Sequence, residues 1–149
     1  MAEGLDTQTA RRLLEYFARR QDDVLSFTRA LCEVESPSGD LAGSRAVADM
    51  LASAVEAVPG VVSTERIEPP GRYGVHFRAR AFEAAGARPL LLLGHTDTVH
   101  PRGTLAARPW REEAGRLYAP GVFDMKASCA VAVEALRACA RGDRAARHL

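Results

Sequence analysis

The fold of this chain is decided by two stretches, PLLLLGHTDTV at residues 89–99 and APGVFDMK at residues 119–126. A short apolar run bounded by glycine is typical of a strand that is buried on both faces, and such strands belong to parallel sheets. Open parallel sheets bind ligands at the carboxyl ends of their strands, so we expect His95 and Asp97 to lie at a ligand-binding edge. The second stretch places Asp124 just before an alanine-rich helical pattern. Imidazole and carboxylate groups together suit zinc or a similar divalent metal.

The two motifs, in this order, make the chain similar to a family of zinc-dependent peptidases and amidohydrolases. The family includes glutamate carboxypeptidases, aminoacylases, acetylornithine deacetylases and succinyl-diaminopimelate desuccinylases. The similarity rests on residues 94–99 and 120–126, and it extends to EVESPSGD at residues 33–40. Between the two motifs, GTL at residues 103–105 and PW at residues 109–110 are most similar to the glutamate-carboxypeptidase branch.

The resemblance implies roles for three residues of this chain. His95 would bind one metal ion, Asp124 would bridge two, and Asp97 would orient the His95 ring, as carboxylates do for metal-bound imidazoles. The implied metal is Zn²⁺, with two ions in a complete site, and Co²⁺ or Mn²⁺ could substitute for it. The resemblance also implies a cis peptide bond between Asp124 and Met125. The implied fold class is α/β, and the chain would form part of a three-layer α/β/α catalytic domain.

The chain departs from the family pattern in two respects. Ala127-Ser128 stands where relatives usually carry two glycines, and Ala119 replaces a common glycine. The sequence also ends at Leu149, before the Glu-Glu pair that supplies the family's general base and a further metal ligand, and before its dimerisation domain. We therefore expect residues 1–149 to be the N-terminal part of the catalytic domain, truncated on its C-terminal side, and to be inactive by itself.

The expected activity of the parent protein is metal-dependent hydrolysis of a peptide or amide bond by metal-activated water, of the carboxypeptidase or deacylase type. The expected substrate is a small peptide or an N-acyl amino acid, and the full-length protein could form a homodimer. The alternative is a non-catalytic metal-binding or interaction module. Two protein ligands alone would hold one zinc ion weakly, because they leave its coordination shell half open. A nucleotide-binding domain is disfavoured because neither glycine-rich phosphate-binding motif occurs.

Composition and charge argue against other classes of partner. The chain has 20 basic and 19 acidic residues and a formal charge of +1, which does not favour nucleic acid or a membrane surface. No apolar run approaches the roughly 20 residues that span a bilayer, and residues 1–6 lack the apolar core of a secretory signal. The three cysteines have no metal-ligand spacing and are typical of small buried residues in a reducing compartment. We therefore expect a cytoplasmic protein.

Each candidate site residue also has a plainer structural interpretation. His95 could be a loop histidine bonded to a neighbouring carboxylate, and Asp124 could cap a helix. The presence of both motifs favours the metal-ligand interpretation for this pair. Asp97 could cap a turn, support His95 or do both. Three further polar residues are interpreted as surface or helix-start positions without chemistry: His76, His100 and Lys126.

Apolar spacing predicts four helices and several strands. The first helix would be capped by Thr7 or Thr9, and the third by Ser38 or Asp40. The predicted buried stripes are Ala10-Leu13-Leu14-Phe17, Val24-Phe27-Leu31-Val34, Val47-Leu51-Ala54-Val55-Val58, and Cys129-Ala132-Val133-Leu136 continued by Cys139 or Ala140. Strands are predicted at 61–67 and 75–80, and a hairpin at 110–118 with its turn at Ala114-Gly115.

Overall fold

The structure is a computed structural model that describes residues 6–71, 74–83 and 88–141. The helices are α1 (Thr7–Arg19), α2 (Gln21–Cys32), α3 (Leu41–Glu56), α4 (Thr104–Ala107) and α5 (Ala127–Ala140). The strands are β1 (Val61–Ile67), β2 (His76–Ala81), β3 (Arg111–Glu113) and β4 (Arg116–Tyr118). A wide turn, Val122–Lys126, leads directly into α5 and is called the Asp124 turn below. The mixture of helices and strands confirms the predicted α/β class. None of the described helices has the length and apolar character needed to cross a membrane.

The hydrophobic core lies where α2, α3 and α5 pack against one another. Its most buried members are Leu31, Val47, Leu51, Val55, Ala130 and Val133. The stripes predicted for α2 and α3 are confirmed, since their members lie in this cluster or pack against it. In α5 the buried residues are Ala130, Val133, Glu134 and Ala138. Of the predicted α5 stripe, Val133 lies in the core cluster and Cys129 and Leu136 pack against it, so the stripe is confirmed at these three positions. The buried face of α5 also includes the carboxylate of Glu134, which the stripe did not contain.

The predicted buried face of α1 is wrong. Leu14 is 72% exposed and Phe17 is 38% exposed, whereas Thr9 and Tyr16 are the buried residues of this helix. Tyr16 faces inward because its hydroxyl group donates a hydrogen bond of 2.5 Å to the buried carboxylate of Glu134. A polar anchor of this kind leaves no trace in the apolar spacing of a sequence.

The caps of α1 and α3 are both aspartates. Asp6 caps α1, because its carboxylate accepts hydrogen bonds from the backbone N–H of Thr9 at 2.9 Å and from the Thr9 hydroxyl at 2.7 Å. The predicted threonine caps are therefore wrong by one to three positions. Asp40 caps α3 as predicted, since it accepts a hydrogen bond of 2.9 Å from the backbone N–H of Gly43. Each cap satisfies a donor that the first helical turn leaves unpaired.

Two antiparallel strand pairs agree with the predictions. β1 pairs with β2, with Thr64 opposite Ala79, and the side chains of β2 alternate between exposed and half-buried. His76 is exposed on that strand, as predicted. β3 and β4 form the predicted hairpin, in which Ala114 has φ of 49° and Gly115 has φ of 73°. Two successive left-handed residues are what a tight two-residue hairpin turn requires.

The prediction of a doubly buried strand at Leu90–Leu93 is wrong for the structure as described. These residues form no strand, and the exposed fractions of the four leucines are 70%, 79%, 64% and 84% in chain order. A strand is buried on both faces only when strands flank it and helices cover both faces of the sheet. Within the described ranges, the sheets are β1–β2 and β3–β4, and neither reaches the run. The leucine run is therefore an exposed apolar surface.

The exposure of this run predicts that Leu91 adds little to the stability of the chain. We expect Leu91→Lys to change the free energy of unfolding by less than about 0.5 kcal/mol, as for other surface substitutions. The same change should reduce self-association, because exposed apolar patches promote aggregation. Urea denaturation and light scattering measure the two effects. The control is Leu51→Lys, which places a charge at a core residue that is 7% exposed and should prevent stable folding. A decrease of more than about 2 kcal/mol in the free energy of unfolding for Leu91→Lys would show that the leucine run is packed.

Candidate metal site

Asp124 lies in a turn whose backbone leaves helical geometry at that residue. The turn begins after Gly121, which has φ of 74°, and it closes when the Lys126 N–H donates a hydrogen bond of 2.9 Å to the Gly121 carbonyl. Within it, Asp124 has φ of −124° and ψ of 93°. The peptide bond between Asp124 and Met125 is cis, as the family resemblance implied. The side chain of Asp124 is 75% exposed and so remains accessible to a ligand.

His95 is held between two carboxylates. Its Nε2 lies 2.9 Å from Oδ1 of Asp124, while its Nδ1 lies 3.2 Å from both the backbone oxygen and Oδ1 of Asp97. Both ring nitrogens face acceptors, and when Nδ1 carries the proton of the neutral ring the lone pair of Nε2 points at the Asp124 oxygen. Two such electron-rich atoms at this distance need a cation between them, either a proton or a metal ion.

The electrostatics of the pair agree with this geometry. The hydrogen bond to Asp124 is the largest cause that raises the pKa of His95 above its ordinary value, and the carboxylates of Asp124 and Asp97 add to it. Without a metal ion, a proton therefore occupies the position between Nε2 and Asp124 over a wider pH range than for a free histidine. A metal ion that took this position would displace that proton.

Asp97 is itself held by a residue of the third predicted motif. The hydroxyl of Ser38 donates a hydrogen bond of 2.5 Å to Oδ2 of Asp97. This bond is the largest cause that lowers the pKa of Asp97 below its ordinary value. The Asp97 carboxylate is thus charged and fixed on one side by Ser38 and on the other by His95. The structure places Asp97 beside His95, where the resemblance implied a supporting carboxylate.

The same segment fastens the loop that carries His95 and Asp97. Pro37 and Thr98 are joined in a parallel bridge, in which the Thr98 N–H donates to the Ser36 carbonyl at 2.9 Å and the Ser38 N–H donates to the Thr98 carbonyl at 3.0 Å. The Ser36 hydroxyl donates to the Thr96 carbonyl at 2.7 Å. Further along, the carboxylate of Glu35 accepts hydrogen bonds from the backbone N–H groups of Gly103 at 2.8 Å and Leu105 at 2.7 Å. Residues 33–40 therefore form the support of the site.

Sulfur atoms of Met125 and Cys129 lie against the backbone of His95. The His95 N–H donates to Sδ of Met125 at 3.4 Å, and Sγ of Cys129 donates to the His95 carbonyl at 3.5 Å. A side chain at Gly94 would crowd the Met125 methyl group at 3.1 Å. Soft, adaptable side chains thus fill the space under the histidine, whose imidazole remains on the open side.

Two of the residues interpreted as surface positions are not fully exposed. Lys126 is 1% exposed, so the surface alternative is wrong, and it lies at the start of α5, which was the other alternative. His100 is half-buried and lines a small cavity together with Lys126 and Thr98. The only signal in the sequence that could have drawn attention to Lys126 is its place immediately after the Asp124 motif.

The structure brings His95, Asp97 and Asp124 together, and their role as metal ligands stays a prediction. Among the described residues, no group of three or more His, Cys, Asp or Glu side chains is arranged to hold a metal ion. The donor set of the pair nevertheless fits a divalent metal, since an imidazole nitrogen and a carboxylate oxygen converge on one point.

Comparisons with known proteins agree with the motifs. The profile of Peptidase family M20/M25/M40 matches residues 91–148, a range that includes all three candidate site residues. Carboxypeptidase G2 of Pseudomonas sp. (strain RS-16) is 29% identical over 117 residues, which amount to 78% of this chain and 28% of that relative. The chain therefore spans less than a third of the length of this relative. The predicted resemblance to the peptidase and amidohydrolase family is confirmed, and the relative is a carboxypeptidase by name.

Proposed function

We propose that this chain provides the His95–Asp124 metal pair of a metal-dependent hydrolase that cleaves peptide or amide bonds. The reaction would be of the carboxypeptidase or deacylase type, acting on a small peptide or an N-acyl amino acid. The proposal is supported by the family match over residues 91–148 and by the contact between His95 Nε2 and Asp124 Oδ1 at 2.9 Å. This contact carries the proposal, because it aims two ligand atoms at one position.

The three site residues would have distinct tasks. His95 offers Nε2 as a ligand, and Asp97 fixes the tautomer by accepting from Nδ1. Asp124 has a second carboxylate oxygen, which allows it to bridge two ions. The proposed metal is Zn²⁺, for which Co²⁺ or Mn²⁺ could substitute. When bound, such a metal lowers the pKa of a coordinated water towards neutrality and polarises the scissile carbonyl.

The cellular location, the partners and the oligomeric state are proposed from composition and from the family resemblance. Three free cysteines are consistent with a reducing cytoplasm. The balanced charge gives no support to nucleic-acid or membrane partners. A homodimer of the full-length protein is proposed from the family resemblance alone, with residues 1–149 as the N-terminal part of the catalytic domain.

Metal titration of the 149-residue chain tests the proposal. We expect the wild-type chain to bind one Zn²⁺ or Co²⁺ ion weakly, since two protein ligands leave half of the zinc shell open. His95→Ala and Asp124→Ala should abolish detectable binding, and Asp97→Ala should weaken it by about 10- to 100-fold, as for other residues that orient a ligand. Calorimetry and the visible absorption of Co²⁺ measure binding.

The control for this titration is His76→Ala. His76 is an exposed histidine on β2 and is not part of the candidate site, so its removal should leave the metal affinity unchanged. Equal affinities for the wild-type chain and His95→Ala would overturn the proposal, because the observed binding would then belong to another part of the chain.

A non-catalytic metal-binding module remains the second candidate function. The contact between His95 Nε2 and Asp124 Oδ1 would also serve such a module, because holding one ion weakly requires no general base. The two candidates differ in turnover. An amidohydrolase assay on the longest natural form of the protein, with Zn²⁺ present, should detect hydrolysis that His95→Ala removes if the enzyme proposal is right.

A further inference from the structure

Lys126 is a buried ammonium group whose contacts link two elements. Its side chain is among the largest that are fully buried, with 1% of the residue exposed. Its Nζ donates hydrogen bonds to the carbonyls of Leu31 at 3.0 Å and Val34 at 2.6 Å. Leu31 lies in the last turn of α2, where the helix dipole favours a cation, and Val34 lies two residues beyond the end of that helix.

No carboxylate lies within ion-pair distance of this ammonium group in the described part of the chain, so backbone carbonyls alone satisfy it. Burying a charge without an ion partner is costly. Lysine is almost never fully buried unless its charge has partners, so the burial of Lys126 is informative. Its location here is two residues from Asp124.

The Asp124 turn is held on one side by the contact of Met125 with His95, and two of its other side chains contribute no packing. Phe123 is 94% exposed and the Asp124 side chain is 75% exposed, so neither anchors the turn by packing. Lys126 instead fixes the turn twice. Its N–H donates to the Gly121 carbonyl at 2.9 Å, and its stem passes so close to Gly121 that a side chain there would lie 3.4 Å from Lys126 Cδ.

We infer that Lys126 is a positioning residue that fixes Asp124 opposite His95, by fastening the Asp124 turn to the end of α2. The inference rests on the proposed metal site. On this inference, the carbonyl of Leu31 in the last turn of α2 and the carbonyl of Val34 just beyond it are part of the support of the metal pair. The chain continues from the end of α2 into residues 33–40, which hold Asp97 through Ser38. The same end of α2 would therefore position both Asp97 and Asp124.

The variant that tests this is Lys126→Met, which keeps an unbranched side chain one atom shorter and removes its donors. We expect the affinity for Co²⁺ to fall about tenfold, the lower end for residues that orient metal ligands. In the metal-free protein at a fixed pH, the ¹⁵N chemical shift of His95 Nε2 should move towards that of a free imidazole, because the contact with Asp124 loosens. Lys126→Gln, which retains an N–H donor, should restore part of both signals.

A control variant separates positioning from a general loss of stability. Val47→Ala truncates a core residue that is 0% exposed and belongs to α3. It should lower the thermal midpoint while leaving the Co²⁺ affinity and the His95 shift as in the wild-type chain. Where Lys126→Met does not fold, Lys126→Gln carries the comparison.

Two outcomes are distinct. A folded Lys126 variant with wild-type metal affinity and wild-type His95 shifts would overturn the role of Lys126 and leave the proposed function intact. A wild-type chain that binds no metal would overturn the proposed function, and the metal-free His95 shift would still decide whether Lys126 positions Asp124.

Discussion

Replacing Glu134 with alanine should destabilise the fold by about 3 kcal/mol, the scale on which removal of one member of a buried ion pair acts. Glu134 is 1% exposed in the middle of α5. Its carboxylate accepts hydrogen bonds from the Tyr16 hydroxyl at 2.5 Å, Arg20 Nε at 2.8 Å and Arg137 Nη1 at 3.1 Å. Its loss would leave a cavity and a Tyr16 hydroxyl without an acceptor. Urea denaturation measures the change.

Glu33 is the matched control for this substitution. It also pairs with an arginine, Arg29, at 2.7 Å, but both side chains are about half exposed, at 47% and 56% respectively. Exposed pairs of this kind contribute less than about 0.5 kcal/mol. Glu33→Ala should therefore change stability far less than Glu134→Ala, and equal losses for the two variants would contradict the importance of the buried network.

The pH dependence of stability gives a second measurement of the same network. Desolvation raises the pKa of Glu134, yet the hydrogen bonds from Arg20, Tyr16 and Arg137 together bring it below its ordinary value. A carboxyl with a lowered folded-state pKa stabilises the protein above the pKa of the unfolded chain and loses this effect as the pH falls through the folded pKa. The stability difference between the wild-type chain and Glu134→Gln should therefore shrink as the pH falls below about 5.

The sequence predicted correctly the helices that pack into the core through apolar side chains. The stripes of α2 and α3 were correct because their inward positions are aliphatic, and the β3–β4 hairpin was correct because Ala114-Gly115 suits its turn. The predicted buried face of α1 was wrong because this helix is attached to the protein by the Tyr16 hydroxyl and not by Leu14. The Leu90–Leu93 strand was wrong because burial depends on neighbours, and a run of leucines carries no information about whether those neighbours are present.

The candidate site shows the same division. His95, Asp97 and Asp124 could be selected from two motifs, because histidine and aspartate are residue types that bind metal ions. The support from Lys126 could not be predicted, and neither could the burial of Glu134 within α5, since charged residues are usually solvated. For Glu134 a weak signal existed, because it lies between Val133 and Ala138 on the alanine-rich face of α5.

Gly43→Ala should destabilise the chain by about 2–3 kcal/mol, although helix propensity alone would favour alanine by up to about 1 kcal/mol. Gly43 is buried in the first turn of α3. A Cβ atom there would lie 2.2 Å from the carbonyl oxygen of Glu35 and 2.9 Å from Cα of Ser36. Both atoms belong to the backbone, so no side-chain rotation relieves the contact, and either α3 or residues 35–36 must move.

The movement should also reach the candidate metal site, since Ser36 is bonded to Thr96 and Thr98 on either side of Asp97. We therefore expect Gly43→Ala to lower both the free energy of unfolding and the Co²⁺ affinity of the folded fraction. Gly115→Ala is the control, because Gly115 has φ of 73° but nothing within 4 Å of the added methyl group. It should cost about 1–2 kcal/mol through backbone strain alone and leave metal affinity unchanged. A stabilised Gly43→Ala chain would mean that α3 and residues 35–36 are not in close contact, and that the support assigned to residues 33–40 is absent.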